Sequence, residues 1–97
     1  MSSILILPAA RQEIIEAYDW YERELAGLGA RFHEELDHQI ERIATRPLHF
    51  PILLADIRRA RLRHFPYGLF FRQVDQATYI IACFHSSRDP VSWQNRT

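Results

Sequence analysis

The hydrophobic pattern changes its period once along the chain, and this change limits the folds open to it. From residue 9 to residue 45, apolar side chains recur at the spacing of one helix face. Beyond Pro51 they alternate with arginine or form short continuous runs, which is the pattern of β-strands. Helices followed by strands, without regular alternation, indicate a segregated α+β fold.

The first half of the chain predicts two helices. Pro8 suits the first turn of a helix over residues 9–25, and a second helix is expected from residue 30 to residue 45, ended by Pro47. The connection is short and contains two glycines, so the helices should form an antiparallel hairpin. The predicted apolar stripes are Ile14, Tyr18, Tyr21 and Leu25 in the first helix, and Phe32, Leu36, Ile40 and Ile43 in the second.

The strands are expected on both sides of this hairpin. An apolar run at 3–7 predicts an N-terminal strand, and the second half predicts three more. These three cover the alternating segment around 59–63, residues 67–74 and residues 78–85, with a hairpin loop at 75–77. The expected architecture is a helical hairpin packed on one small twisted sheet containing a three-stranded antiparallel meander, all in a single domain over residues 1–97.

Composition restricts the class of protein. At 47% hydrophobic and 12% aromatic residues, the 97-residue chain can form a core. Its one cysteine, Cys83, rules out an internal disulfide and fits a reducing compartment. The N-terminal apolar run is short for a signal peptide, and no run reaches the roughly 18 residues of a membrane span. A cytoplasmic protein without membrane contact is therefore expected.

No sequence signature indicates a metal or a cofactor. His33 and His38 are five residues apart, which does not place them on one helix face, and Cys83 is distant in sequence. The three glycines form no phosphate-binding loop.

The charges are unevenly distributed although the formal net charge is zero. Residues 9–46 hold nine acidic and five basic side chains, a balance of −4, whereas residues 56–97 hold three and seven, a balance of +4. All 12 basic residues are arginine. A bias in genomic base composition would explain this as well as selection would, but arginine is also the better residue for forked contacts to phosphate or carboxylate.

Arg59, Arg61 and Arg63 form the first candidate site, because their spacing predicts three guanidinium groups on one strand face. Such a row is stable when it is solvated or when it meets an anion. Two interpretations follow. The row either protects an edge strand by charge, or it binds nucleic acid or an acidic protein segment.

The second candidate site is the C-terminal run that contains His85, Arg88 and Trp93. An imidazole at a strand end can titrate near neutrality, and Arg88 follows three residues later. A structural His85, hydrogen-bonded to the backbone, is the alternative. Trp93 is either a lid on a small core or a stacking platform for a base.

Taken together, these segments resemble the RelE/ParE superfamily of toxins from bacterial type II toxin–antitoxin systems, over nearly the whole chain. The motifs are the Tyr18–Tyr21 region, Gly27-Leu28-Gly29-x-x-Phe32, Arg46-Pro47-x-x-Phe50-Pro51, Arg58-Arg59-x-x-Leu62-x-x-Phe65-Pro66-Tyr67 and Phe84-His85-x-x-Arg88-Asp89-Pro90-x-x-Trp93. The resemblance implies a cognate antitoxin with an acidic C-terminal segment, and binding to operator DNA only through that antitoxin.

One branch of the superfamily cleaves messenger RNA on the ribosome. The resemblance matches Arg59 and Arg61 to its basic residues on the first strand after the helices. Gly68 stands where that branch has an arginine, and Trp93 where it has a tyrosine. In this alternative, His85 would act as acid or base while Arg61 and Arg88 hold phosphate.

The other branch, which contains ParE, poisons DNA gyrase and is not known to be catalytic. The resemblance matches His85, Arg88 and Asp89 to a pattern typical of that branch. The prediction is a plasmid-stabilising toxin of the ParE type that acts without catalysis. Its target- or antitoxin-binding residues would be Arg59, Arg61, Arg63, Tyr67, His85, Arg88 and Trp93.

Overall fold

A computed structural model describes residues 3–87 of the chain. Strand β1 (Ser3–Ile6) precedes helix α1 (Pro8–Glu24) and helix α2 (Leu28–Thr45). A single 3-10 turn at Pro47–His49 leads into the remaining strands, which are β2 (Ile52–Leu54), β3 (Ile57–Arg61), β4 (Tyr67–Val74) and β5 (Ala77–His85). The α+β class and the helical hairpin after an N-terminal strand are confirmed. No helix of the described part is long and apolar enough to cross a membrane.

The five strands form one sheet in the order β1-β5-β4-β3-β2. Strands β3, β4 and β5 pair antiparallel, as the sequence predicts. Strand β1 pairs parallel with β5, so the first strand of the chain lies beside the last described one. A register shift in β4 at Phe70 and Phe71 marks an irregularity opposite β5.

The helical hairpin covers one face of the sheet and buries the main core. Phe32, Leu36 and Ile43 of α2 are at most 1% exposed, and they belong to one cluster with Leu69 of β4 and Ile80 of β5. The predicted stripe of α2 is therefore confirmed, apart from the partly buried Ile40. On α1 the prediction was wrong for Leu25, which lies just beyond the helix and is 62% exposed.

A second cluster of buried side chains lies in the sheet. It consists of Ile57, Phe70, Ile81, Ala82 and Phe84, with the partly buried Leu7 and Tyr79 packed against it. Because side chains alternate between the faces of a strand, Ile57 shares its face with Arg59 and Arg61, while Ala60 contributes to the helix-covered core. Arg59 and Arg61 therefore extend from the face that the helices do not cover, whereas Arg58 lies on the same face as Ala60.

Candidate functional site

Strand β3 carries the first two predicted site residues. Arg59 lies opposite Phe70, and Arg61 lies opposite Gly68. A β-carbon placed on Gly68 would meet Cγ of Arg59 at 3.5 Å and its Cδ at 3.6 Å. The aliphatic part of Arg59 therefore lies over Gly68. Gly68 is the position that the resemblance matches to an arginine of the nuclease branch.

Arg63 does not continue this row, because β3 ends at Arg61. The backbone N–H groups of Arg63 and His64 both donate to Oε1 of Glu35 on α2, at 2.7 Å for His64. Oε2 of Glu35 lies 3.0 Å from Nδ1 of His64. These contacts hold Arg63 and His64 against the helix and not against the sheet. The expected row of three arginines on one strand is therefore limited to Arg59 and Arg61.

A second polar contact from α2 fixes the same segment. The Gln39 amide donates to the carbonyl oxygen of Arg61 at 2.6 Å and accepts from Arg42 at 2.8 Å. Gln39 is buried, and the sequence pattern of α2 could have predicted its burial. It stands three residues after Leu36 and four before Ile43, so it is a polar residue within the apolar stripe. A polar group in that position needs a partner, and the arginine strand provides one.

The same contacts affect the ionisation of Glu35. Burial acts to raise the pKa of its carboxyl, but the hydrogen bonds from His64 and Arg63 outweigh burial and lower the pKa. Glu35 is therefore a carboxylate at neutral pH, and it stabilises the loop that carries Arg63.

His85 ends β5 opposite Tyr67, and the two rings meet edge to face with centroids 5.2 Å apart. The backbone N–H of Ser87 donates to Nδ1 of His85 at 3.1 Å, and the Ser87 hydroxyl lies 2.8 Å from the same atom. An atom that accepts a backbone N–H cannot also carry a proton there. The neutral ring therefore carries its hydrogen on Nε2.

These residues surround one open depression of about 460 Å³. It brings together the predicted residues that the structure describes, namely Arg59, Arg61, Arg63, Tyr67 and His85. Tyr67 differs from the others because its ring packs against Tyr21 and Phe32 in the core. Arg88 and Trp93 lie outside the described residues.

The depression is cationic and poorly equipped for proton transfer. Within residues 3–87, Arg59, Arg61 and Arg63 form no ion pair. Guanidinium groups remain charged and are poor bases. Burial raises the pKa of the Tyr67 hydroxyl, and it raises the pKa of the nearby Cys83 thiol to about 12. The arrangement therefore suits anion binding better than nucleophilic chemistry.

The described residues contain no group of three or more histidine, cysteine, aspartate or glutamate side chains that could hold a metal ion. His33 instead lies 3.3 Å from Asp37, one helical turn away.

Comparison with solved structures shows which known fold the chain shares. The fold matches a chain described as "Chromosomal ParDE TA system from P. aeruginosa", with a TM-score of 0.78 and 16% sequence identity. The match covers 88% of this chain and 96% of the other. At this identity, the match shows a common fold.

The family follows from the sequence itself. Residues 4–90 match the model described as ParE toxin of type II toxin-antitoxin system, parDE. This match spans most of the chain, so the protein belongs to the ParE toxin family, as the motifs predict. No curated protein sequence gives a significant match.

Proposed function

We propose that the protein inhibits growth by poisoning DNA gyrase in the bacterial cytoplasm, and that a cognate antitoxin neutralises it. The observation that carries the proposal is the depression around Arg59, Arg61 and His85, which is rich in fixed positive charge. Membership of the ParE family agrees with such a target. In this proposal the surface binds its target and transfers no proton.

The antitoxin part of the proposal rests on charge. The guanidinium groups of Arg59, Arg61 and Arg63 lie around one depression without a carboxylate partner among the described residues. An acidic C-terminal segment of the antitoxin would relieve their repulsion and would cover the surface that the target needs. Contact with operator DNA would then come through the antitoxin, and the pair would stabilise a plasmid that carries it.

A second function, ribosome-dependent cleavage of messenger RNA, is favoured by one observation. His85 and Arg61 line the same depression, so an imidazole shares one surface with a guanidinium that would bind phosphate in this mechanism. In that mechanism His85 would act as acid or base, with Arg61 and Arg88 binding the phosphate. The hydrogen on Nε2 of neutral His85 opposes a role as base at that atom.

One experiment separates these functions from a binding protein without toxicity. The full chain is induced without an antitoxin, growth is scored, and plasmid topology and messenger RNA 5′ ends are measured in the same cells. We expect growth arrest, relaxed plasmid and trapped gyrase cleavage complexes, with RNA ends unchanged. Arg61→Ala should relieve the arrest, whereas Arg23→Ala, at an exposed site late in α1, should not.

New RNA ends within translated frames that disappear in His85→Ala would replace the gyrase proposal with the nuclease. Normal growth with soluble, folded protein would contradict both toxic functions.

A further inference from the structure

A second basic groove lies on the α2 side of the molecule and adjoins the strand depression described above, with which it shares Arg61, Arg63, His64 and Phe65. It has a volume of about 690 Å³ and opens between α2 and the segment that follows β3. We call it the α2 groove. Its lining residues are Arg31, Glu34, Glu35, His38, Gln39, Arg42, Arg61, Arg63, His64 and Phe65. Sequence reasoning assigned no role to the α2 residues of this set.

The charges of the α2 groove do not cancel. Arg31 forms no ion pair within residues 3–87, and neither do Arg61 and Arg63. Glu35 is satisfied by the hydrogen bonds from the loop, so it is not free to pair with a groove arginine. Glu34, which is exposed, is the other carboxylate of the described lining, and it accepts none of these hydrogen bonds from the loop. With four arginines and two glutamates, the described lining keeps a formal balance of +2.

The basic side chains of α2 that line the groove lie along one line. Arg31, His38 and Arg42 are separated by seven and four residues, which places them on one helix face. From Arg31 to Arg42 the helix rises by roughly 16 Å at about 1.5 Å per residue. The guanidinium of Arg42 is held 5.2 Å from the centre of the Phe50 ring, which limits its motion. One strand of a duplex presents about one phosphate per 3.4 Å of axis, so such a row spans several phosphates.

The groove lacks what other anionic partners need. Single-stranded RNA is bound by stacking its bases on exposed aromatic rings. Among the described residues, Phe65 is the only aromatic carbocycle in the lining, and it is 8% exposed and packs against Tyr21 and Phe32. A protein segment generally needs a buried apolar anchor, and the lining offers no open apolar pocket for one. A phosphate backbone needs only cations and N–H donors.

We propose that the α2 groove binds the phosphate backbone of double-stranded DNA without reading its base sequence. This rests on the proposed function, because gyrase holds duplex DNA and a toxin bound to that complex would contact both components. The strand depression would then engage the protein target, while the α2 groove engages the DNA beside it.

The first test is binding of the full chain to a fluorescent 20-base-pair duplex over a range of salt concentrations. We expect affinity to fall as salt rises, because bound arginines displace counterions from the DNA. Arg31→Ala should weaken binding on the order of five-fold at low salt and reduce the magnitude of the salt slope by about 0.9. Arg31 is the informative position, because it lines the α2 groove and not the strand depression.

Two further variants make the test specific. Glu34→Gln removes the exposed carboxylate of the groove and should strengthen DNA binding, the opposite of Arg31→Ala. Arg11→Ala removes the same charge from a different surface, between α1 and α2, and should leave DNA affinity unchanged. Thermal unfolding of each variant confirms that it is folded.

The inference is overturned if the duplex does not bind, if Arg31→Ala and Arg11→Ala weaken binding equally, or if single-stranded RNA or an acidic peptide binds the groove and the duplex does not. The plasmid-topology assay keeps the two proposals distinguishable. Gyrase poisoning by a protein that binds no DNA would leave the proposed function intact and remove only this inference.

Discussion

Ser87, two residues further along the chain, orients the His85 imidazole. It engages Nδ1, so Nε2 is the nitrogen that can contact a bound partner. Nδ1 receives the backbone N–H of Ser87, and the Ser87 hydroxyl can donate to the same atom. Nε2 then presents a hydrogen-bond donor. Such a donor is useful for binding an anion or a carbonyl group, and it is unsuited to removing a proton.

We therefore expect the nitrogen spectrum of His85, recorded at pH 9, to show the hydrogen on Nε2. Ser87→Ala removes the hydroxyl contact but keeps the backbone N–H. The form with the hydrogen on Nε2 should therefore persist, with a smaller excess over the form with the hydrogen on Nδ1. His38, which is exposed on α2, serves as the internal reference within the same spectrum. A hydrogen on Nδ1 of His85 would contradict this geometry and would restore His85 as a candidate base.

At the scale of secondary-structure elements, α2 positions the arginine segment through a charged clamp. Glu35 accepts three hydrogen bonds from the loop after β3, and its pKa is lowered relative to the unfolded chain. A lowered folded-state pKa contributes stability above the unfolded value near 4.5, and that stability is lost as pH falls through the folded value.

Glu35→Gln should therefore destabilise the protein most at neutral pH. Hydrogen bonds to a charged group contribute about 1.5–3 kcal/mol, so we expect a loss of roughly that size at pH 7. The difference from the parent protein should shrink as pH falls below 4.5 and through the lowered pKa of the parent carboxyl. Urea unfolding at pH 7 and pH 3.5 measures both values. Glu41→Gln, at an exposed site on the same helix, is the control. If Glu35→Gln lowers the free energy of unfolding equally at both pH values, the proposed role of the Glu35 charge is refuted.

The elements also show how far sequence reasoning reaches. Strand β4 was predicted at its observed bounds, because its aromatic and β-branched residues are flanked by Pro66 and by the Asp75-Gln76 turn. Strand β2 was missed. Its connection to β3 passes through Ala55 at a φ of 53°, where glycine or asparagine would have signalled a tight turn.

Long-range contacts explain the remaining differences. Pairing of β1 beside β5 joins residues more than 70 positions apart, and no local pattern specifies it. The end of β3 at Arg61 depends on Glu35, which lies on another element. The candidate site was therefore predictable where it follows strand period, as for Arg59 and Arg61. It was not predictable where α2 determines it, as for Arg63.

At the scale of the whole molecule, the helical hairpin is acidic and the sheet half is basic, so the chain is electrically polar while its net charge is zero. Such a molecule attracts an acidic segment to the arginines of its sheet half, which orients the segment before contact. A chain of 97 residues also buries a modest fraction of its surface, so a partner that adds buried area stabilises it.

This polarity predicts how antitoxin binding depends on salt. Arg61→Ala and Arg63→Ala should each weaken binding of the cognate antitoxin segment at 50 mM salt. The loss should shrink as salt rises towards 500 mM, because screening weakens the interaction that the arginine supplies. Isothermal titration across that range measures it, with Arg23→Ala as a control of equal charge on α1. A loss that stays constant with salt would mean that the arginines act through packing. Unchanged affinity at low salt would place the antitoxin on a different surface.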